Sequence, residues 1–355
     1  MKKQDILPFL LGKILPENIS FPEVPLGDYK VVGLGKAAPS HVKAFFDKLG
    51  KRDHLIITKD GVPDLGLNCL YGSHPNYSEK SLENGEKLIK WIEEDQRDIL
   101  FVITGGASSV VEKLKPENSL NQVQSQIDEY LKGQASIHTI NEYRKSISLL
   151  KGGGLKRICK DRNIHTWLVK DVPGLDVSDV GSGPTLEKGD SHYSVLSSYE
   201  DLESDVKNIE YEFISPALDC SLEEGMKIVL KRGKSISGGE LTVDVKANGR
   251  GGRNSHFVLE AGVELFEKNI LSLSEREMEK VFIASLATDG DDGNSNSAGA
   301  FLDFPSWKVA KSLGLDPIEY LQNSDSASFF ERLGCLYLTG ITGTNVMDLR
   351  LVFVP

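Results

Sequence analysis

Short apolar runs recur along the chain, each ending at glycine and followed by a helical pattern. In YKVVGLGKAAPSHVKAFFDKLG the run through Val32 reads as a strand and GLGKAA as a turn, after which Val42, Phe45, Phe46 and Leu49 share one face of a helix. DILFVITGGASSVVEKL repeats the arrangement with Ile99 to Ile103 as a buried strand, and HTWLVKDVPG and DHLIITKDG supply two more strands. Helical segments lie between them, from Ser78 to Glu94 (opened by Ser78 or Ser81) and from about Asn141 to Lys160. Alternating strands and helices predict a mostly parallel sheet covered on both faces.

After about Asp190 the pattern changes. SHYSVLSSYEDLESDVKNIE is acidic, lacks strong periodicity and reads as a connection or peripheral segment. GELTVDVKANG alternates Leu241, Val243 and Val245 against Thr242, Asp244 and Lys246, which predicts a half-exposed strand. There follow a helix from about Arg253 to Phe266, the strand KVFIASLATDG, helices near Ser306 to Leu313 and in SASFFERLG, and closing strands around Leu336 and Leu351. The expected fold is α/β in two α/β domains, residues 1–230 forming a Rossmann-like unit and residues 231–355 a second, with mostly parallel sheets.

At 355 residues the chain is long for a single hydrophobic core, which agrees with two domains. A formal charge of −11 argues against a nucleic acid partner, because such affinity rests on clustered Lys and Arg. Cys69, Cys159, Cys220 and Cys335 form no CxxC pair and fit reduced thiols of a cytoplasmic protein. No apolar stretch approaches the roughly 20 residues needed to span a bilayer, so no membrane partner is expected.

Ligands in open α/β sheets bind beyond the carboxyl ends of the strands, where glycine loops expose backbone N–H groups. GLGKAA puts Gly35 and Lys36 where a strand gives way to a helix, a position suited to an anion, but it has neither Walker A spacing nor a full dinucleotide fingerprint. TGGASS offers Gly105, Gly106 and the Ser108 hydroxyl, either to an anion or merely as a helix cap. KDVPGLDVSDVGSGPT sets Asp171 at a strand end, at the head of a long glycine- and proline-containing loop. ATDGDDGNSNSAGA carries Asp289, Asp291 and Asp292, but the EF-hand frame fails; an Asp at a strand end beside glycine suits Mg²⁺ and phosphate better. NGRGGRNSHF places two arginines among glycines, as either an anion loop or a flexible turn, with Arg253 and Asn254 opening the next helix. TGITGTNVMDLR adds Gly343, Thr344 and Asn345. The histidines lack HxH or HExxH spacing, and no GxSxG elbow is present.

Taken together, GLGKA, SHPNYSEKSLENG, ITGGASS, INEYRKSISLLKGG, DVPGLDVSDVGSGPT, SGGELTVDVKANGRGGRN, ATDGDDGNSNSAGA, NSDSASFF and TGITGTNVMDLR resemble, in order, the type 2 glycerate kinases, whose C-terminal half is called the MOFRL domain. The resemblance covers most of the chain from Val31 onward. It implies two α/β domains with an inter-domain active-site cleft, and transfer of the ATP γ-phosphoryl group to D-glycerate, with Mg²⁺, to give 2-phosphoglycerate. On that basis Lys36 and Arg253 are expected to grip the substrate carboxylate and γ-phosphate. Glu240 and Asp171 would coordinate Mg²⁺ or orient the attacking hydroxyl, and Asp289 is the other metal candidate. Gly35, Gly105, Gly106, Ser108, Asn254, Gly343, Thr344 and Asn345 would supply backbone and side-chain donors.

The chain departs from the usual family pattern at Ala107, Ser146, Lys170, Ser255 and His256, and its segment between the GSGPT loop and the SGGE stretch is shorter than in typical members. Other readings are a kinase of another small hydroxy acid, an oxidoreductase acting on hydroxypyruvate, and a non-catalytic binding homologue. Either a monomer or a homodimer is compatible with the sequence.

Overall fold

The structure, a computed structural model, describes residues 1–132, 137–171 and 176–355. Residues 172–175, within the loop that Asp171 opens, lie outside it. The chain divides into two compact units: an N-terminal unit of Pro16–Ser198 with Gly343–Asn345, and a C-terminal unit of Met1–Leu15, Tyr199–Thr342 and Val346–Pro355.

The N-terminal unit is built on β1 (Tyr29–Leu34), β2 (His54–Lys59), β3 (Cys69–Gly72), β4 (Asp98–Ile103), β5 (Ile164–Val169) and β6 (Tyr193–Ser197). They form one all-parallel sheet in the order β3-β2-β1-β4-β5-β6. This is the Rossmann order, in which the direction of winding reverses between β1 and β4. Every residue of β1 is buried, as are all of β4 after Asp98, because helices cover both faces. Val32, Leu34, Phe101 and Ile103 meet Leu88 and Ile92 in one core. Those two leucine and isoleucine side chains come from the helix Glu79–Glu93, which Ser78 starts through a reciprocal capping box with Ser81. The helical stretch read from Asn141 to Lys160 is two helices, Ile137–Ile147 and Gly154–Ile158, parted where Gly152 and Gly153 take positive φ.

The C-terminal unit holds β7 (Glu212–Ile214), β8 (Gly233–Gly238), β9 (Phe282–Ala287), β10 (Gly299–Asp303), β11 (Leu336–Tyr337) and β12 (Asp348–Val354), in the order β11-β10-β9-β12-β8-β7. Only β7 and β8 run parallel; the other four pairings are antiparallel. The α/β class therefore holds, but a mostly parallel second sheet does not: β12 returns between β8 and β9, opposed to both.

Residue 230, where the sequence suggested a boundary, falls inside this unit, because β7 pairs with β8 across it. The amino-terminal residues join it too: the Tyr337 hydroxyl donates to the Gln4 carbonyl at 3.1 Å, and Lys3 Nζ lies 4.1 Å from the Phe353 ring centre. The segment from Leu241 to Lys246 is not a strand. It makes a single bridge, Thr242 with Ser221, and leaves Val245 80% exposed. The strand lies just before it, and Gly239, at φ +106° with the Leu218 carbonyl where a side chain would stand, turns the chain away. The stretch after Asp190 is also structured: it contributes β6 and a helix, Glu203–Asn208.

Candidate functional site

The glycine turns after β1 and β4 meet at the point where the winding of the N-terminal sheet reverses. Lys36 donates its backbone N–H to the Gly105 carbonyl at 2.8 Å, Ala37 donates to Thr104 Oγ1 at 3.1 Å, and Thr104 N–H reaches the Leu34 carbonyl at 2.9 Å. Gly35 is obligatory there: its φ is +110°, and a Cβ would stand 2.4 Å from the Thr104 carbonyl oxygen. The interlocked turns hold the Lys36 side chain half-buried at a strand end.

The same edge gathers the other predicted residues of this unit. A Cβ on Gly105 would lie 1.8 Å from Asp171 Oδ2 and 2.9 Å from Asn345 Nδ2, so Asp171 and Asn345 occupy the space that the glycine leaves. The Asn345 amide donates to Asp171 Oδ2 at 3.4 Å. Gly106, at φ +82°, starts the short helix Ala107–Val110 next to the His74 ring, and Ser108 on that helix accepts from Arg144 Nη1 at 2.9 Å. Gly343 packs on Ser40, and Thr344 is 1% exposed. Lys36, Gly35, Gly105, Gly106, Ser108, Asp171, Gly343, Thr344 and Asn345 thus belong to one unit, although the last three come from the far end of the chain. Arg144 escaped sequence reading because nothing in INEYRKS distinguishes a buried arginine from a solvated one.

Arg253, Glu240, Asn254 and Asp289 belong to the C-terminal unit. Arg253 opens the helix Arg253–Gly262 and is held by two carboxylates. Its Nε lies 2.5 Å and its Nη2 3.1 Å from the oxygens of Asp348, which is 1% exposed, and Nη2 is also 2.8 Å from Glu240. Burial works against its charge, but Asp348, Glu240 and Asp289 outweigh that and raise its pKa further. The guanidinium is locked in the charged state, with its charge matched inside the protein. Glu240 stands after the end of β8, not at the head of a strand. Asn254 is 1% exposed, with its amide oxygen taken by the Ser285 hydroxyl.

The glycines of NGRGGRN form neither a phosphate cradle nor a slack turn. Gly249, Arg250 and Gly251 donate their N–H groups to the Asn323 carbonyl, Asp325 Oδ1 and Asn294 Oδ1. The helix start behind them does hold an anion, and it is the protein's own. Asp292, 1% exposed, accepts from the N–H groups of Asn254 and Ser255 at 2.8 and 2.9 Å and from the Ser255 hydroxyl at 2.6 Å. Burial raises the Asp292 pKa, and these hydrogen bonds oppose the rise. Ser255 is therefore committed to Asp292, and His256 stands 3.4 Å from Glu260 one helical turn on. Arg250 is exposed and paired with Glu331 at 2.8 Å.

Among the described residues no group of three or more His, Cys, Asp and Glu could hold a metal ion. Mg²⁺ needs no such group, since it commonly takes one or two carboxylates and completes its octahedron with substrate oxygens and water. A pocket of about 380 Å³ in the N-terminal unit, lined by His138, Glu142, Lys145, Asp179 and Glu187 among others, contains none of the predicted residues, and its Lys145 is already paired with Asp179 and Glu142. No helix among the described residues is long and apolar enough to cross a membrane.

A Rossmann-ordered sheet with a lysine and hydroxyl-bearing glycine turns at its switch point, joined to a mixed α/β unit, has counterparts among known proteins. Residues 12–209 match the family described as "Domain of unknown function (DUF4147)", and residues 234–348 match the MOFRL family. The chain is 28% identical to a D-glycerate 2-kinase of Thermotoga maritima, over 93% of this chain and 91% of the relative. It is 29% identical to a glycerate 2-kinase of Sulfurisphaera tokodaii, over 91% and 89%. The crystal structure of a glycerate kinase from Thermotoga maritima superposes with a TM-score of 0.82 at 27% identity, covering 99% of this chain and 98% of that one. The protein is an enzyme, and its class is that of the kinases. It belongs to the DUF4147 family and carries a C-terminal MOFRL family domain, and these two relatives, which share most of its length, are glycerate 2-kinases.

Proposed function

We propose that the enzyme transfers the γ-phosphoryl group of ATP to the 2-hydroxyl of D-glycerate, giving 2-phosphoglycerate and ADP. The observation that carries this reading is the meeting of the Lys36 and Gly105 turns beside Asp171 at the switch point of a Rossmann-ordered sheet. Similarity to D-glycerate 2-kinases over almost the whole chain supports it. Phosphoryl transfer asks for positioning and for neutralisation of the charge spread over the moving group. Lys36 supplies a fixed positive charge, and Gly106 and Ser108 supply N–H and hydroxyl donors for an oxyanion. Asp171, oriented by Asn345, would accept the hydroxyl proton of glycerate or serve as a Mg²⁺ ligand, and in the C-terminal unit Asp289 would be the metal candidate. When bound, Mg²⁺ neutralises phosphate oxygens. Within the C-terminal unit, Arg253, fixed by Asp348 and Glu240, is the permanent cation available to an anionic group.

An ADP-release assay across a panel of small hydroxy acids tests the proposal. D-glycerate is expected to be the preferred acceptor, with Lys36→Ala lowering kcat at least 100-fold. No ADP release with any acid, or oxidation of NADH by hydroxypyruvate instead, contradicts it.

A further inference from the structure

We infer that Arg144 binds an oxyanion of a substrate, carboxylate or phosphoryl, against the glycine turn that follows β4. This rests on the kinase reading and extends its site to a residue of the helix Ile137–Ile147. Arg144 is 7% exposed. Its Nη1 donates to Ser108, itself 7% exposed, and its buried Nε has no hydrogen-bond partner among the described residues. No ion pair joins it to any carboxylate of the described residues.

The acid of this buried cluster is already taken. Glu112, 0% exposed, receives Lys151 Nζ at 2.5 Å, the Ser148 hydroxyl at 2.5 Å and the Lys113 N–H at 2.8 Å. Lys151 is 2% exposed, so two buried cations share one buried anion, leaving one positive charge in excess. Arginine is almost never this buried without a partner, and it cannot relieve the excess by giving up its proton. The Tyr77 ring centre is 6.0 Å from the guanidinium, at the outer limit of a useful cation–π contact. A bound oxyanion would complete the cluster. It would take the guanidinium edge, the Ser108 hydroxyl proton that the Arg144 contact leaves available, and the N–H groups of the Gly106 turn. Arg253, the arginine that the sequence favours, is matched by Asp348 and Glu240 and carries no such excess.

The test uses the full-length enzyme with Arg144→Lys and Arg144→Gln in the ADP-release assay, varying ATP and D-glycerate separately. The expected result is a KM raised at least tenfold for one substrate and unchanged for the other, with Lys retaining part of the effect. A raised KM for glycerate identifies the carboxylate as the ligand, and a raised KM for ATP identifies the phosphoryl group. Unchanged KM for both, whatever happens to kcat or melting temperature, overturns the inference. A second measurement covers variants that do not fold: millimolar D-glycerate or inorganic phosphate should raise the melting temperature of the wild type, and Ser108→Ala should abolish the shift. No shift, or an equal shift in Ser108→Ala, overturns it. If the wild type releases no ADP, the kinase proposal fails by itself. The thermal-shift arm then still decides Arg144, since stabilisation by phosphate must be lost in Arg144→Gln.

Discussion

Gly105 has no side chain because its space belongs to Asp171 and Asn345, whereas Gly35 has none because the Thr104 backbone leaves no room. The two glycines should respond differently to alanine. At Gly105 the obstructing atoms end mobile side chains and the backbone φ is ordinary, so Gly105→Ala should displace Asp171 and lower kcat at least 100-fold with little loss of stability. At Gly35 a positive φ and a carbonyl oxygen oppose the methyl group, so Gly35→Ala should cost about 1–3 kcal/mol in stability. Urea unfolding alongside kcat measurements separates the two; equal stability losses would contradict the assignment. Glycine turns and strand-end residues were legible because they follow from local order. The partners of Arg253 and Arg144 were not: a sequence gives the sign of a charge, whereas Asp348 lies 95 residues from Arg253 and Ser108 lies 36 from Arg144.

At the scale of elements, the start of the helix Arg253–Gly262 depends on a carboxylate brought from the loop after β9. Asp292→Ala would leave two buried N–H groups without an acceptor and leave the Ser255 hydroxyl only the Gly252 carbonyl at 3.3 Å, so it should lower the unfolding free energy by about 2–4 kcal/mol. Chemical denaturation checks this, and a loss below about 1 kcal/mol would show that the cap is not structural. β1, β4 and β9 were readable because burial on both faces makes them largely apolar, whereas the interior strands β8 and β10, which carry more glycine and polar residues, went unread. Edge strands escaped: β3 and β7 are short and carry partly exposed residues. The alternation from Leu241 to Val245 misled because period two requires a neighbouring ladder to become a strand, and here Gly239 turns the chain aside and only Thr242 finds a bridge.

For the whole molecule, the α/β class and the Rossmann-like first sheet were evident from alternation alone. The division into units was not, because residues 1–15 and 343–345 each join the unit that most of their neighbours in sequence do not. Such memberships depend on long-range packing, which no local pattern encodes. The family resemblance carried the function further than the residues could, since the loops taken singly fit several anion-binding chemistries. The central claim is that this edge of the first sheet directs phosphate to the second carbon of glycerate. ³¹P NMR of the product formed from ATP, Mg²⁺ and D-glycerate tests it directly. The expected spectrum contains the resonance of 2-phosphoglycerate together with ADP; a 3-phosphoglycerate resonance, or no new phosphoester, would contradict it.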